Sequence, residues 1–196
     1  RSISSRGRRT SVVGSMVSIV WPEMPPGHAP SVDEVGSPSN AKESIVEEGL
    51  RDQDIRFVTE GSARSYGMRE DKCVIFSFSF EGDPATSTLG TQPGGLSRQT
   101  IETMEPTTLI RIPRARMDEL FAGNAELADW GRRMAEEQLR RHEDYFADYA
   151  WRGKREQYGR MLREYPQLLQ RIALKDLAAY LFLTPQSLSR IRAGVK

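Results

Sequence analysis

The sequence predicts an α+β chain: a small antiparallel β-roll of jelly-roll type, a long helix suited to dimerisation, and a C-terminal helix-turn-helix. Three observations lead there. Strand-like alternation is confined to residues 41–113, helical periodicity fills the chain beyond Pro113, and a basic C-terminal module follows an acidic middle. The expected organisation is an irregular or disordered segment over 1–40, the roll over 41–113, helices including the interface helix over 114–152, and the helix-turn-helix over 153–196.

The first segment carries Pro22, Pro25, Pro26, Pro30 and Pro38 among glycines, serines and asparagine, a composition that resists regular structure. Arg1–Arg9 is basic and Ser-rich, a faint likeness to a targeting peptide that carries no further information. The longest apolar run, Val12–Trp21, is broken by Gly14, Ser15 and Ser18. It falls short of the ~20 residues that span a bilayer. A soluble, cytoplasmic protein with no membrane partner is expected.

In the roll, Cys73–Phe80 is the clearest strand, with Val74, Phe76, Phe78 and Phe80 alternating with Ile75, Ser77 and Ser79. Asp54–Thr59 and Ala63–Met68 flank Glu60–Gly61 as a predicted hairpin, and Leu109–Ile112 forms a last strand closed by Pro113. Gly82, Gly90, Gly94 and Gly95 make 81–97 a long loop where a roll could hold a ligand.

Beyond Pro113, Arg114–Phe121 and Asn124–Trp151 read as helices, the second capped by Asn124 and about 40 Å long at ~1.5 Å per residue. Leu127, Trp130, Met134 and Leu139 begin a stripe that continues to Tyr145 and Phe146 and approximates a heptad seam. These four are the candidate dimer contacts. Lys154–Glu164, with Tyr158, Met161 and Leu162 inward, and Leu168, Leu169 and Ile172 complete a small core for the C-terminal module.

Ala173–Val195 reads as two short helices joined by a tight turn. Leu174, Leu177, Ala178 and Leu181 share one stripe, and Leu188 and Ile191 form the inner face of the second helix. Thr184 is its predicted N-cap and Pro185 its first residue. Gln186, Ser187, Ser189, Arg190 and Arg192 are left outside, carrying groups that read base edges and hold phosphates.

Charge supports this reading. Residues 151–196 hold ten Lys or Arg against Glu156, Glu164 and Asp176, a balance of +7, whereas 41–150 carry −7 and the first forty residues +1. A basic patch coinciding with a helical hairpin is the electrostatic footprint of a polyanion partner. Enzymatic chemistry has little material: the single Cys73 permits no internal disulfide, and His28 and His142 offer no metal-ligand spacing and no triad base. No catalytic residue, metal or cofactor is expected.

The order roll, long helix and helix-turn-helix resembles the Crp/Fnr superfamily of bacterial transcription regulators. Glu47-Glu48-Gly49 with Phe57–Arg64 is similar to the family's first recognisable strand pair, and Ile101–Ile112 to its last roll strands. Glu164–Ile172 with Leu183–Arg192 is similar to its effector-poor branch common in Bacteroidetes-type bacteria. The resemblance implies a recognition helix over Pro185–Arg192 lying in the major groove, with Gln186 and Arg190 at base-reading positions. Thr184, Ser187 and Lys175 then match phosphate contacts, Ser189 serves either purpose, and Arg192 flanks them. It implies double-stranded DNA, a second copy of the chain and RNA polymerase as partners, with a small-molecule effector of unknown identity.

Three departures qualify what the resemblance implies. The family's cyclic-nucleotide members carry a Gly-Glu pair and an Arg-Ser/Thr pair, but loop 80–99 has no Gly-Glu and places Ser97 at the arginine position, with Arg98 next. Ancestry to a cyclic-nucleotide-binding domain is implied, without its ligand chemistry. Phe182 stands where the turn usually has Gly, which in a left-handed conformation costs about 1–2 kcal/mol. The first forty residues do not match the family's leading elements. Two other readings compete: a ligand-sensing or protein-interaction module whose helix-turn-helix does not bind DNA, and a cupin-type enzyme, for which 41–113 lacks any histidine.

Overall fold

A computed structural model describes residues 39–194. The segment expected to be irregular therefore lies, up to residue 38, outside the described residues, as does Val195. The strands are β1 (Ser44–Val46), β2 (Asp54–Glu60), β3 (Ala63–Arg69), β4 (Lys72–Ser79), β5 (Thr100–Thr103) and β6 (Thr108–Pro113). They are followed by α1 (Arg114–Gly123), α2 (Ala125–Trp151), α3 (Lys154–Glu164), α4 (Pro166–Leu169), α5 (Leu174–Tyr180) and α6 (Pro185–Gly194).

All strand pairs are antiparallel, in one sheet of order β1-β5-β3-β4 and a two-stranded sheet of β2 and β6. Val46, Val58, Ala63, Ala85, Ile101 and Leu109 fill the space between them. Val58 faces this interior while its neighbour Phe57 faces outward, as the strand period of two requires. Phe57, Ile110 and Ile112 meet Met117, Leu127 and Trp130 in a second cluster that seats α1 and α2 on the back of the small sheet. Gly131 allows this close approach, because a Cβ there would lie 2.6 Å from the Phe121 ring.

Two expectations for the strands are corrected. Glu60–Gly61 is not a hairpin turn: β2 and β3 belong to different sheets, and Gly61, at φ +92° with Pro106 O and Thr107 packed where a Cβ would stand, turns the chain from one to the other. The true hairpin joins β3 and β4 through Glu70 and Asp71, both at positive φ (49° and 64°) as a type I′ turn demands. The alternation of β4 is also broken. Ser65 pairs with Ser77 and Tyr66 with Ile75, so Phe76 is the extra residue of a bulge. Ile75 is thereby turned to the same buried face as Phe78 and Phe80, and Phe76 is left 44% exposed.

That face is not covered by the roll. Ile75, Phe78 and Phe80 pack with Tyr158, Met161, Tyr165, Ile172, Leu177, Ala178, Tyr180, Leu181 and Leu188 in one cluster. The C-terminal helices therefore lack the separate core expected from sequence and share theirs with β4. Within α3, Leu162 is exposed and Gln157 is buried in its stead, its amide donating to Asp148 O and Arg152 O at 2.8 Å. No helix of the described residues is long and apolar enough to cross a membrane.

Candidate nucleic-acid interface

Helix α5 ends in a Schellman motif. Leu181 is the C-cap, the N–H of Phe182 donates to Ala179 O at 3.2 Å, and that of Leu183 donates to Ala178 O at 2.8 Å. The motif requires a left-handed residue at Phe182, which has φ 55°. The ring is recruited in compensation: it meets Tyr149 of α2 edge-on at 5.3 Å, and Lys154 Nζ lies 5.5 Å from its centre and 4.5 Å from that of Tyr149. Burial holds the Lys154 ammonium below the usual lysine range.

The next helix starts where the sequence indicates. Thr184 Oγ1 accepts from Ser187 N at 3.1 Å, capping α6, and Pro185 is its first residue. Leu188, fully buried, roots the helix in the shared core, with Ile191 half-buried beside it. Opposite them Gln186, Ser189 and Arg190 are exposed; Arg192, one turn beyond Leu188, is exposed on the flank, as is Lys175 in the first turn of α5. Thr184 and Ser187 are also bonded hydroxyl to hydroxyl at 3.0 Å, so both serve the cap as well as the surface. The arrangement presents a guanidinium fork, an amide and a hydroxyl on one helix face, with the second guanidinium, of Arg192, at its flank.

The α2 stripe divides. Leu127 and Trp130 are buried against the small sheet, Met134 is half-buried on the same cluster, and only Leu139 of the four, 61% exposed, faces outward. A second stripe lies about a quarter-turn round the helix. Ala135, Leu139, His142, Phe146 and Tyr149 recur at alternating four- and three-residue steps, and all are exposed. That spacing is visible in the sequence, but the larger side chains of the other stripe draw attention first.

Loop 80–99 is tied to α2 near its start. Asp83 and Arg141, both buried, pair at 3.2 Å, Arg141 Nε reaches Glu137 at 3.0 Å, and Asp83 Oδ2 accepts from Phe80 N at 2.9 Å. A cleft of about 80 Å³ beside this pair is lined by Ser77, Ser79, Gln138, His142, Tyr145 and Tyr180. Burial pushes the Tyr145 phenol up to about 12 and Tyr180 higher still, so both stay neutral. Ser97 is buried with Oγ donating to Gln99 O at 2.6 Å, and the exposed Arg98 lines, with Gly49, Leu89, Gly95 and Leu96, an open cavity of about 520 Å³.

Solved structures supply the frame for this geometry. FixK2 from Bradyrhizobium japonicum superposes with a TM-score of 0.71 at 21% identity, over 82% of this chain and 83% of that one. The c-di-GMP responsive global regulator CLP of Xanthomonas campestris gives 0.66 at 12% identity, covering 83% of this chain and 86% of the other. A transcriptional regulator of the CRP family from Thermus thermophilus gives 0.60 at 17%, covering 81% and 83%. The fold is that of the Crp/Fnr transcription regulators. No family model and no curated protein matches the sequence.

Proposed function

We propose that this chain is a sequence-specific DNA-binding transcription regulator that grips a pseudo-palindromic site as a homodimer. The observation that carries the reading is the face of α6. Gln186, Ser189 and Arg190 stand in solvent on one face of a capped helix anchored by Leu188, with Arg192 at its flank, in the basic part of the chain. Arg bidentate to guanine and Gln bidentate to adenine are the geometrically favoured contacts, each worth about 1–3 kcal/mol of discrimination. Thr184, Ser187 and Lys175 flank them as phosphate contacts. The left-handed Phe182 favours this reading over a degenerate, protein-binding hairpin, because the turn keeps its Schellman hydrogen bonds without glycine.

The exposed α2 stripe supports pairing of two chains, with Leu139 and Phe146 as central knobs and Leu127, Trp130 and Met134 supporting the helix from behind. Two recognition helices would then enter successive major grooves about 34 Å apart. The dimer acts on cytoplasmic DNA, with RNA polymerase as the partner through which a bound regulator affects transcription. An effector other than a cyclic nucleotide is implied, because loop 80–99 lacks the Gly-Glu pair and places the buried Ser97 at the arginine position.

Fluorescence anisotropy on duplex DNA across a salt series tests the reading. Affinity falls steeply with salt if phosphates are neutralised. Lys175→Ala weakens all sequences alike and lowers the slope by about 1, whereas Arg190→Ala removes sequence preference. Binding absent at low salt, or unchanged in both variants, refutes the assignment.

A further inference from the structure

The basic module is fastened to the acidic roll by two arginines in addition to the shared apolar cluster. Arg171, in the turn between α4 and α5, reaches three separate corners of the roll. Its guanidinium donates to both oxygens of Glu81 at 2.8 and 2.9 Å, to Glu105 in the β5–β6 turn, and to Gly61 O at the β2–β3 corner at 3.0 Å. The same group lies 5.0 Å from the centre of the Phe80 ring. Arg64 of β3 makes the second tie, bonding Asp176 of α5 and Glu102 of β5, the latter at 2.7 Å, with the Tyr66 ring 5.2 Å away.

The apolar cluster between β4 and α5 is non-directional and by itself permits α5 to roll or slide on the strand. A planar guanidinium bonded to several fixed acceptors does not, because its donors diverge in set directions. Between them the two ties hold α5 near its N-terminus and at the segment leading into it, and the α5–α6 turn is braced on α2 by Phe182. The angle between α6 and α2 is thus fixed by the chain itself.

We propose that Arg171 and Arg64 are positioning residues that set the spacing between the two DNA half-sites. This rests on the reading of the chain as a homodimeric DNA reader. In such a dimer α2 lies at the two-fold axis, so the α6-to-α2 angle determines where the recognition helices fall on the duplex. Moving a half-site by one base pair shifts it about 3.4 Å and turns it about 35° round the DNA axis. A module held by guanidinium forks resists that displacement, and one held by apolar contacts alone follows it.

The test uses the full chain and its selected operator, re-spaced by one and two base pairs, with Arg171→Ala/Arg64→Ala and the milder Arg171→Lys. For the natural sequence, affinity drops at least tenfold per base pair of re-spacing. In the double variant that penalty shrinks to threefold or less and in Arg171→Lys to an intermediate value, while affinity for an isolated half-site stays within twofold. A double variant that keeps the original penalty overturns the proposal. Hydrogen exchange without DNA separates this outcome from failure of the DNA-binding reading. Even if no DNA is bound, the ties predict that α5 and α6 amides exchange at least tenfold faster in the double variant, with β2 and β6 unchanged. Equal exchange of α5 and α6 shows that the arginines hold nothing.

Discussion

Replacing Phe182 separates two opposing contributions at the turn. A bulky residue in the left-handed region costs about 1–2 kcal/mol, which glycine would relieve. Against that, the ring is 47% exposed and so half covered, and its loss removes an edge contact with Tyr149 and a cation–π contact with Lys154. Those contacts and the covered area amount to about 2–3 kcal/mol. Glycine also returns about 0.5 kcal/mol of freedom to the unfolded chain. Phe182→Gly is therefore expected to destabilise by about 1–2 kcal/mol despite matching the backbone's preference. Phe182→Ala loses the same ring and keeps the strain, so it costs roughly 1 kcal/mol more than glycine. Urea denaturation measures both, and for a chain of this size each 1 kcal/mol shifts Tm by about 2–4 °C. A glycine variant as stable as the natural protein, or an alanine variant no worse than the glycine one, refutes the account of Phe182 as a strained but recruited residue.

Three further perturbations follow from the geometry. Leu139→Glu with Phe146→Glu places four carboxylates across the proposed two-fold seam and is expected to yield a monomer in sedimentation, with single half-site binding retained; an unchanged dimer refutes the seam. Arg141→Ala removes the guanidinium paired with the buried Asp83 carboxylate and should cost about 3 kcal/mol in denaturation, of which Asp83→Asn recovers a part. An additive double variant would show that the two side chains are not coupled. Burial raises the carboxyls of Glu81 and Glu105, but Arg171, with the Ser62 hydroxyl on Glu105, outweighs it and holds both below their ordinary value of 4.5. Their folded pKa values lie under the unfolded ones, so the stabilisation is complete above that value and is lost as pH falls through the folded values. The stability difference between the natural protein and Arg171→Ala should narrow as pH falls below 4.5, and a constant difference refutes the pairing.

The candidate site was legible in the sequence because its determinants are local. A cap such as Thr184, a first-turn Pro185 and the spacing of Leu188 and Ile191 each act within one or two helical turns, and the structure places them as the periodicity implies. Asn124 is similar: its side chain accepts from Leu127 N at 2.9 Å, as an N-cap at that position must. The hairpin at Glu60–Gly61 was misleading because glycine signals a change of direction without specifying which strand the chain joins next. Glu70–Asp71 carries no glycine or asparagine, so the real two-residue turn left no local mark.

Amino-acid order by itself determined the roll, the long helix and the C-terminal hairpin, together with the polar residues left outside the hairpin's packing, because periodicity and capping are properties of neighbouring residues. Only the tertiary structure decided which stripe of α2 is spent on the roll, which face of β4 receives the C-terminal helices, and where Arg64 and Arg171 are tied. Those outcomes depend on contacts between residues far apart in sequence, such as Arg64 with Glu102 and Asp176, 38 and 112 positions away. A one-residue bulge at Phe76 sufficed to reverse the side of β4 on which Ile75 lies. Long-range pairing of this kind is settled by the global balance of burial and hydrogen bonding, which no local pattern encodes.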